Sequence, residues 1–122
     1  MLLKYRSEYK KIAMDMLSLL PDMNKSNHLE QEMNWYHDND NRVIYLWKNL
    51  DNNWAGLIAV EQKEPLLVVR RIVLTPDSWT MNNCCDMLDD LSKLYMNKKI
   101  VGTMETTSIC EIWEKRNGTR IQ

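Results

Sequence analysis

The chain has 122 residues, 44% of them hydrophobic and 27% charged, with a formal net charge of -1. That length suits one compact core, so a single domain spanning the chain is expected, and the composition excludes extensive disorder. Near-neutral charge supplies no basic field for nucleic acid and no polybasic patch for an anionic membrane, so neither is an expected partner.

Leu2, Leu3 and Tyr5 predict a short first strand, and Ser7 follows as a helix-capping residue. From Ser7 to Leu20 the apolar residues Tyr9, Ile12, Ala13, Met16, Leu17 and Leu20 recur at helical spacing, and Pro21 ends the pattern. A second, more polar helix is expected from Asn24 to His37, with Leu29, Met33 and Tyr36 on one stripe. The methionines Met14, Met16, Met23 and Met33 read as core filler.

Val43 to Trp47 form a strand too apolar for simple alternation, which predicts cover on both faces. Asn49 to Asn53 turns the chain back through a strand from Trp54 to Val60, Lys63-Glu64-Pro65 turns it again, and Leu66 to Leu74 returns. Successive strands joined by short turns imply an antiparallel meander. Arg70 and Arg71 interrupt the last of them. Adjacent strand residues point to opposite faces, so the two arginines are expected on opposite sides of the sheet, each most simply held in a salt bridge.

The stretch TPDSWTMNNCCDML, Thr75 to Leu88, then opens the best amphipathic helix, with Met81, Cys84, Cys85, Leu88, Leu91 and Tyr95 on one face. Three cysteines without C-x-x-C spacing, and only His28 and His37 besides, predict neither a disulfide framework nor a metal site. With no apolar run of leader or spanning length, a reducing, cytoplasmic location is expected. A thiol at a helix N-terminus has a lowered pKa, but Cys84 and Cys85 lie on the apolar face with no histidine near in sequence, so core packing is the favoured reading. Lys98 to Met104 reads as a strand, and Thr106 to Lys115 as a last helix carrying Ile109, Ile112 and Trp113, closed by Asn117-Gly118.

The resulting order, β-α-α-β-β-β-α-β-α, resembles the layout of the Gcn5-related N-acetyltransferase (GNAT) superfamily. KIAMDMLSLLP at Lys11 to Pro21, IYLWK at Ile44 to Lys48, GLIAVEQK at Gly56 to Lys63 and RIVLTP at Arg71 to Pro76 resemble in particular its small RibT group, encoded with riboflavin biosynthesis enzymes in Bacillus-type bacteria. The resemblance covers nearly the whole chain. It implies an α/β (α+β) GNAT-like acyl-CoA N-acyltransferase fold, a mixed, mostly antiparallel sheet flanked by helices, with acetyl-CoA as cofactor and a small-molecule amine as acceptor.

In that family the fourth strand is followed by an Arg/Gln-x-x-Gly-x-Gly/Ala loop whose amides hold the cofactor's pyrophosphate at a helix N-terminus. The implied cofactor site here comprises the strand edge Ile72, Val73 and Leu74 and the loop Trp79, Thr80, Met81, Asn82, Asn83, Cys84 and Cys85. The loop's Arg position falls on Trp79 and its Gly positions on Asn82 and Cys84. Glycine lets a phosphate approach the backbone without meeting a Cβ, so Asn82 and Cys84 are expected to obstruct it. From Ile72 to Ser92 there is no Lys or Arg, while Asp77, Asp86, Asp89 and Asp90 are present. Weakened acetyl-CoA binding is the expectation, and a noncatalytic GNAT-fold interaction or small-ligand module stays open beside the enzyme. The last helix has Trp113 where the family commonly places a tyrosine acid. Glu61 and Glu64 are candidate bases, more simply read as solvated, and no catalytic residue is assigned.

Overall fold

The computed structural model describes residues 1–25 and 27–121, with side chains through Asn117. Its elements are β1 (Leu2–Lys4), α1 (Lys10–Leu17), α2 (His28–His37), β2 (Arg42–Lys48), β3 (Trp54–Lys63), β4 (Leu66–Leu74), α3 (Met81–Leu94), β5 (Lys99–Gly102) and α4 (Thr107–Ile121). This is the expected order. The strands lie in the sheet as β1-β2-β3-β4-β5. The first four are antiparallel neighbours, and β5 joins β4 in parallel.

Two apolar clusters sandwich the sheet. Val43, Tyr45, Trp47, Ile58, Val60, Leu67 and Val69 face α3 and α4 through Cys84, Met87, Leu88, Leu91 and Cys110. Ile44, Leu46, Leu57, Ala59 and Val73 face α1 and α2 through Ala13, Met16, Leu17, Met33 and Tyr36. Val43 to Trp47 are all buried, as a strand covered on both faces requires. Among the described residues no helix is long and apolar enough to cross a membrane.

Several boundaries differ from the sequence reading. Ser7 caps nothing: Ser7–Tyr9 is a 3₁₀ turn, closed by the Tyr9 amide on the Arg6 carbonyl at 2.8 Å, and the α-helix begins at Lys10. Pro21 opens a second 3₁₀ turn, Pro21–Asn24, so α2 starts four residues later than expected. Gly118 does not end α4, which runs to Ile121. A glycine inside a helix costs only about 1 kcal/mol against alanine.

β5 stops at Gly102, short of Met104, because the chain turns at once into α4. The Thr103 amide donates to Thr106 Oγ1 at 3.0 Å, and the Thr107 amide to the Thr103 carbonyl at 2.8 Å. A Cβ on Gly102 would lie 2.7 Å from the Thr107 backbone, so only glycine permits so tight an exit. β5 therefore pairs with β4 only from Leu66 to Val69, and β4 runs on to Leu74 without it.

β4 is also bulged. Val60 faces Val69 and Ala59 faces Arg71, leaving Arg70 with no opposite residue. The extra residue resets the alternation, so Arg70 and Arg71 both stand on the α2 side rather than on opposite faces.

Candidate active site

The open half of β4 begins where its partner ends. Thr106 Oγ1 donates to the Val69 carbonyl at 2.7 Å, replacing the next rung of the ladder. Farther along, the Thr75 amide donates to Ala55 of β3 at 2.9 Å. Strand alternation then turns the Val73 backbone toward β3 and the amides and carbonyls of Ile72 and Leu74 the other way, into the gap left by β5. Of the three strand residues expected in a cofactor site, Ile72 and Leu74 thus offer backbone to the gap. Val73 offers none, and its side chain is buried under α1 and α2.

On the α2 side the gap opens into a cleft of about 500 Å³ whose walls include Asp22, Glu32, Trp35, Tyr36, Arg70, Arg71 and Glu105. Arg71 is its organiser. Its Nε and Nη2 meet the two oxygens of Glu32 at 2.9 and 3.2 Å, Nη2 also donates to Asp22 at 2.9 Å, and Nη1 to Glu105 at 2.7 Å. Three carboxylates from three segments share one guanidinium. Hydrogen bonding to Glu32, ahead of Asp22 and Glu105, raises the Arg71 pKa above its ordinary value despite its burial. The Tyr36 hydroxyl is bonded to Glu32, and burial first, then the Glu32 charge, raises its pKa too, so it stays protonated. Asp22 and Glu105 remain about half exposed, each bonded to Arg71 through one oxygen.

The sequence-derived base candidates lie elsewhere. Glu61 is buried, with Arg42 Nε donating to it at 3.4 Å and with Arg70 at 3.6 Å and Lys63 at 4.0 Å. Arg42 and Arg70 both stack on Trp35, at 3.8 and 4.8 Å from the ring centre. Glu61 is their counter-ion, and the reading of it as a solvated carboxylate is corrected: its relative exposure is 8%. Glu64 is exposed and pairs with Lys98 at the far turn. Glu105, in the β5–α4 turn, is like Asp22 and Glu32 a cleft carboxylate that sequence reasoning passed over, because nothing near any of them in sequence marks a site.

The loop expected to hold phosphate follows the open end of β4. Thr80 is the N-cap of α3, its Oγ1 accepting from the Asn83 amide at 3.0 Å, and the Asn83 side chain donates back to the Ser78 carbonyl at 2.7 Å. Trp79 is half exposed, and Met81 packs at the edge of the core. Cys84 and Cys85 are buried, with the Cys84 side chain in the core, as the core-packing reading expected. Burial, then the neighbouring Cys85, pushes the Cys84 thiol up to about 11, so it is no nucleophile at neutral pH.

Two of the three acids of α3 are engaged, while Asp86 is exposed. Asp90 accepts from Trp47 Nε1 at 3.3 Å and pairs with the amino terminus at 3.1 Å, and Asp89 accepts from Trp113 Nε1 at 2.8 Å. Trp113 is therefore tied to α3. A cation that the local sequence lacks arrives from α4: Arg116 Nη1 donates to Asn82 Oδ1 at 2.9 Å.

No family model matches the chain. Over 98% of its length and 99% of the relative's, it is 26% identical to an uncharacterized N-acetyltransferase in the lysA 3′ region of Bacillus methanolicus. Among solved structures it is similar to the aminoglycoside N-acetyltransferase AAC(6′)-Iy in complex with CoA, with a TM-score of 0.69 at 8% identity over 94% of this chain and 84% of that one. It also resembles AAC(6′)-IG from Acinetobacter haemolyticus, with a TM-score of 0.66 at 11% identity over 96% and 88%. A spermidine N-acetyltransferase SpeG chimera from Vibrio cholerae and hSSAT matches with a TM-score of 0.65 at 15% identity over 94% and 78%. A sheet opened between β4 and β5, helices on both faces and these likenesses give the chain the GNAT acetyltransferase fold.

Proposed function

We propose that the protein is an acetyl-CoA-dependent N-acetyltransferase acting on a small-molecule amine, of the RibT-like kind to which its strand sequences are similar. The observation that carries this reading is the free edge of β4 at Ile72 and Leu74, which runs between a carboxylate-bearing cleft and the capped N-terminus of α3. The residues fit the cofactor. The edge offers strand-type pairing to an amide-bearing pantetheine arm, the Cys84 side chain lies in the core, and α3, which follows β4 in the chain, has the first amides and dipole of a helix N-terminus to offer an anion.

Bound acetyl-CoA would supply the thioester acetyl group. The chain's own groups bind and orient the amine: Asp22 and Glu105 attract an ammonium, while Trp35 and Tyr36 give its carbon skeleton an apolar wall. Glu105, held by Arg71 through one oxygen, has the other free to take the ammonium proton and expose the nitrogen lone pair. No tyrosine lies on α4, and Trp113 donates to Asp89, so the departing thiolate would take its proton from solvent.

The experiment is thermal melting with and without millimolar acetyl-CoA, followed by thiol release in the presence of a panel of small primary amines. A ligand bound only by the folded state adds about 2.7 kcal/mol at a hundred times its Kd, so a clear rise in midpoint is expected. An unchanged midpoint would end the enzyme reading.

A further inference from the structure

Arg116 is the exception among the described arginines. Arg6, Arg42, Arg70 and Arg71 each have a carboxylate partner. Arg116 has none among the described residues and donates to a neutral side chain, Asn82 Oδ1, at 2.9 Å. Asn82 lies in the first turn of α3, whose dipole makes that end positive. A guanidinium without a counter-ion, directed at the positive end of a helix, is an unfavourable arrangement by itself. An anion between the two relieves it.

The surrounding groups suit the same anion. Thr80 occupies the Asn83 amide, and the Cys84 amide bonds to the Thr80 carbonyl at 3.1 Å, whereas helix geometry leaves the Met81 and Asn82 amides without intrahelical partners. Cys84 is folded into the core. The Asn82 side chain is held toward α4 by its bond to Arg116, and that bond uses one of the guanidinium's five N–H donors.

Building on the acetyl-CoA reading, we propose that Arg116, reaching across from α4, supplies the cation for the cofactor's diphosphate that the loop itself has lost at Trp79. The compensation joins Arg116 to Asn82 across 34 residues of sequence. It makes phosphate binding depend on α4 being docked against α3, a contact also held by the Trp113–Asp89 bond.

The test is calorimetric titration of acetyl-CoA into the wild-type protein and into Arg116→Gln and Arg116→Lys variants, at two or more salt concentrations. Arg116→Gln is expected to weaken acetyl-CoA binding about tenfold and to flatten its salt dependence by roughly one ion, with Arg116→Lys between the two. Equal affinity in the Gln variant overturns the assignment while leaving the acetyl-CoA reading intact. A loss of affinity with unchanged salt dependence also overturns it, since that marks a packing role. A wild-type protein that binds no acetyl-CoA refutes both.

Discussion

Replacing Arg71 with methionine removes the cation shared by Glu32, Asp22 and Glu105 and leaves a side chain of similar reach. The Arg71–Glu32 pair is bidentate, and each side chain is only 15% exposed. Breaking one side of a fully buried pair costs about 3–5 kcal/mol, and the half-exposed Asp22 and Glu105 arms add less than about 1 kcal/mol each. Because the cleft is open to water, the net loss should be about 2–4 kcal/mol, or roughly 10 °C in midpoint for a domain of this size. The Arg71 pKa is raised in the folded state, so its contribution is complete below the ordinary arginine value and is lost only at still higher pH. The deficit should therefore be the same at pH 7 and pH 9. Urea unfolding of Arg71→Met, Glu32→Gln and the double variant measures it, with a coupling of at least about 1 kcal/mol between the two sites. A deficit under about 0.5 kcal/mol, or no coupling, would refute the view of Arg71 as the organiser of the cleft.

Burial pushes both Cys84 and Cys110 up to about 11 from an ordinary 9.0. A raised folded value means stability complete below pH 9 and lost as pH rises toward 11, up to about 2–3 kcal/mol for each thiol. Denaturant midpoints across that range should fall less steeply in Cys110→Ala. An equal slope would contradict it. A Gly102→Ala Cβ would press on the Thr107 backbone at 2.7 Å and on Thr106 Oγ1 at 2.8 Å, so a loss of about 1–3 kcal/mol is expected. Hydrogen exchange should show the damage at the β5–α4 turn, and wild-type protection there would count against the tight exit. Glu105→Gln should lower kcat at least about a hundredfold while leaving acetyl-CoA affinity unchanged. Preserved turnover would remove Glu105 as base.

The layered architecture was legible because its elements carry strong period: the all-apolar Val43 to Trp47 required two covered faces, and the stripe through Cys84, Leu88 and Leu91 required a core-facing helix. Cys84 and Cys85 went where that stripe sent them. The site was less legible. A bulge adds one residue without any Gly or Pro to mark it, so nothing in LLVVRRIVL announces that both arginines share a side. The loop reading was local as well. It found no cation between Ile72 and Ser92 and treated Cys84 as an obstruction, whereas Arg116 comes from another helix and Cys84 turns inward. Glu105 and Arg71 meet only because β5 ends at Gly102, a consequence of packing rather than of any short motif.

Backbone amide shifts followed by NMR during an acetyl-CoA titration test the central claim most directly, since Ile72 and Leu74 are the strand residues whose backbone faces the gap. Saturable shifts are expected at Ile72, Leu74 and the first turn of α3, with Val73 and the β2–β3 ladder little changed. Absence of any shift, or shifts confined to the β1 side of the sheet, would contradict it.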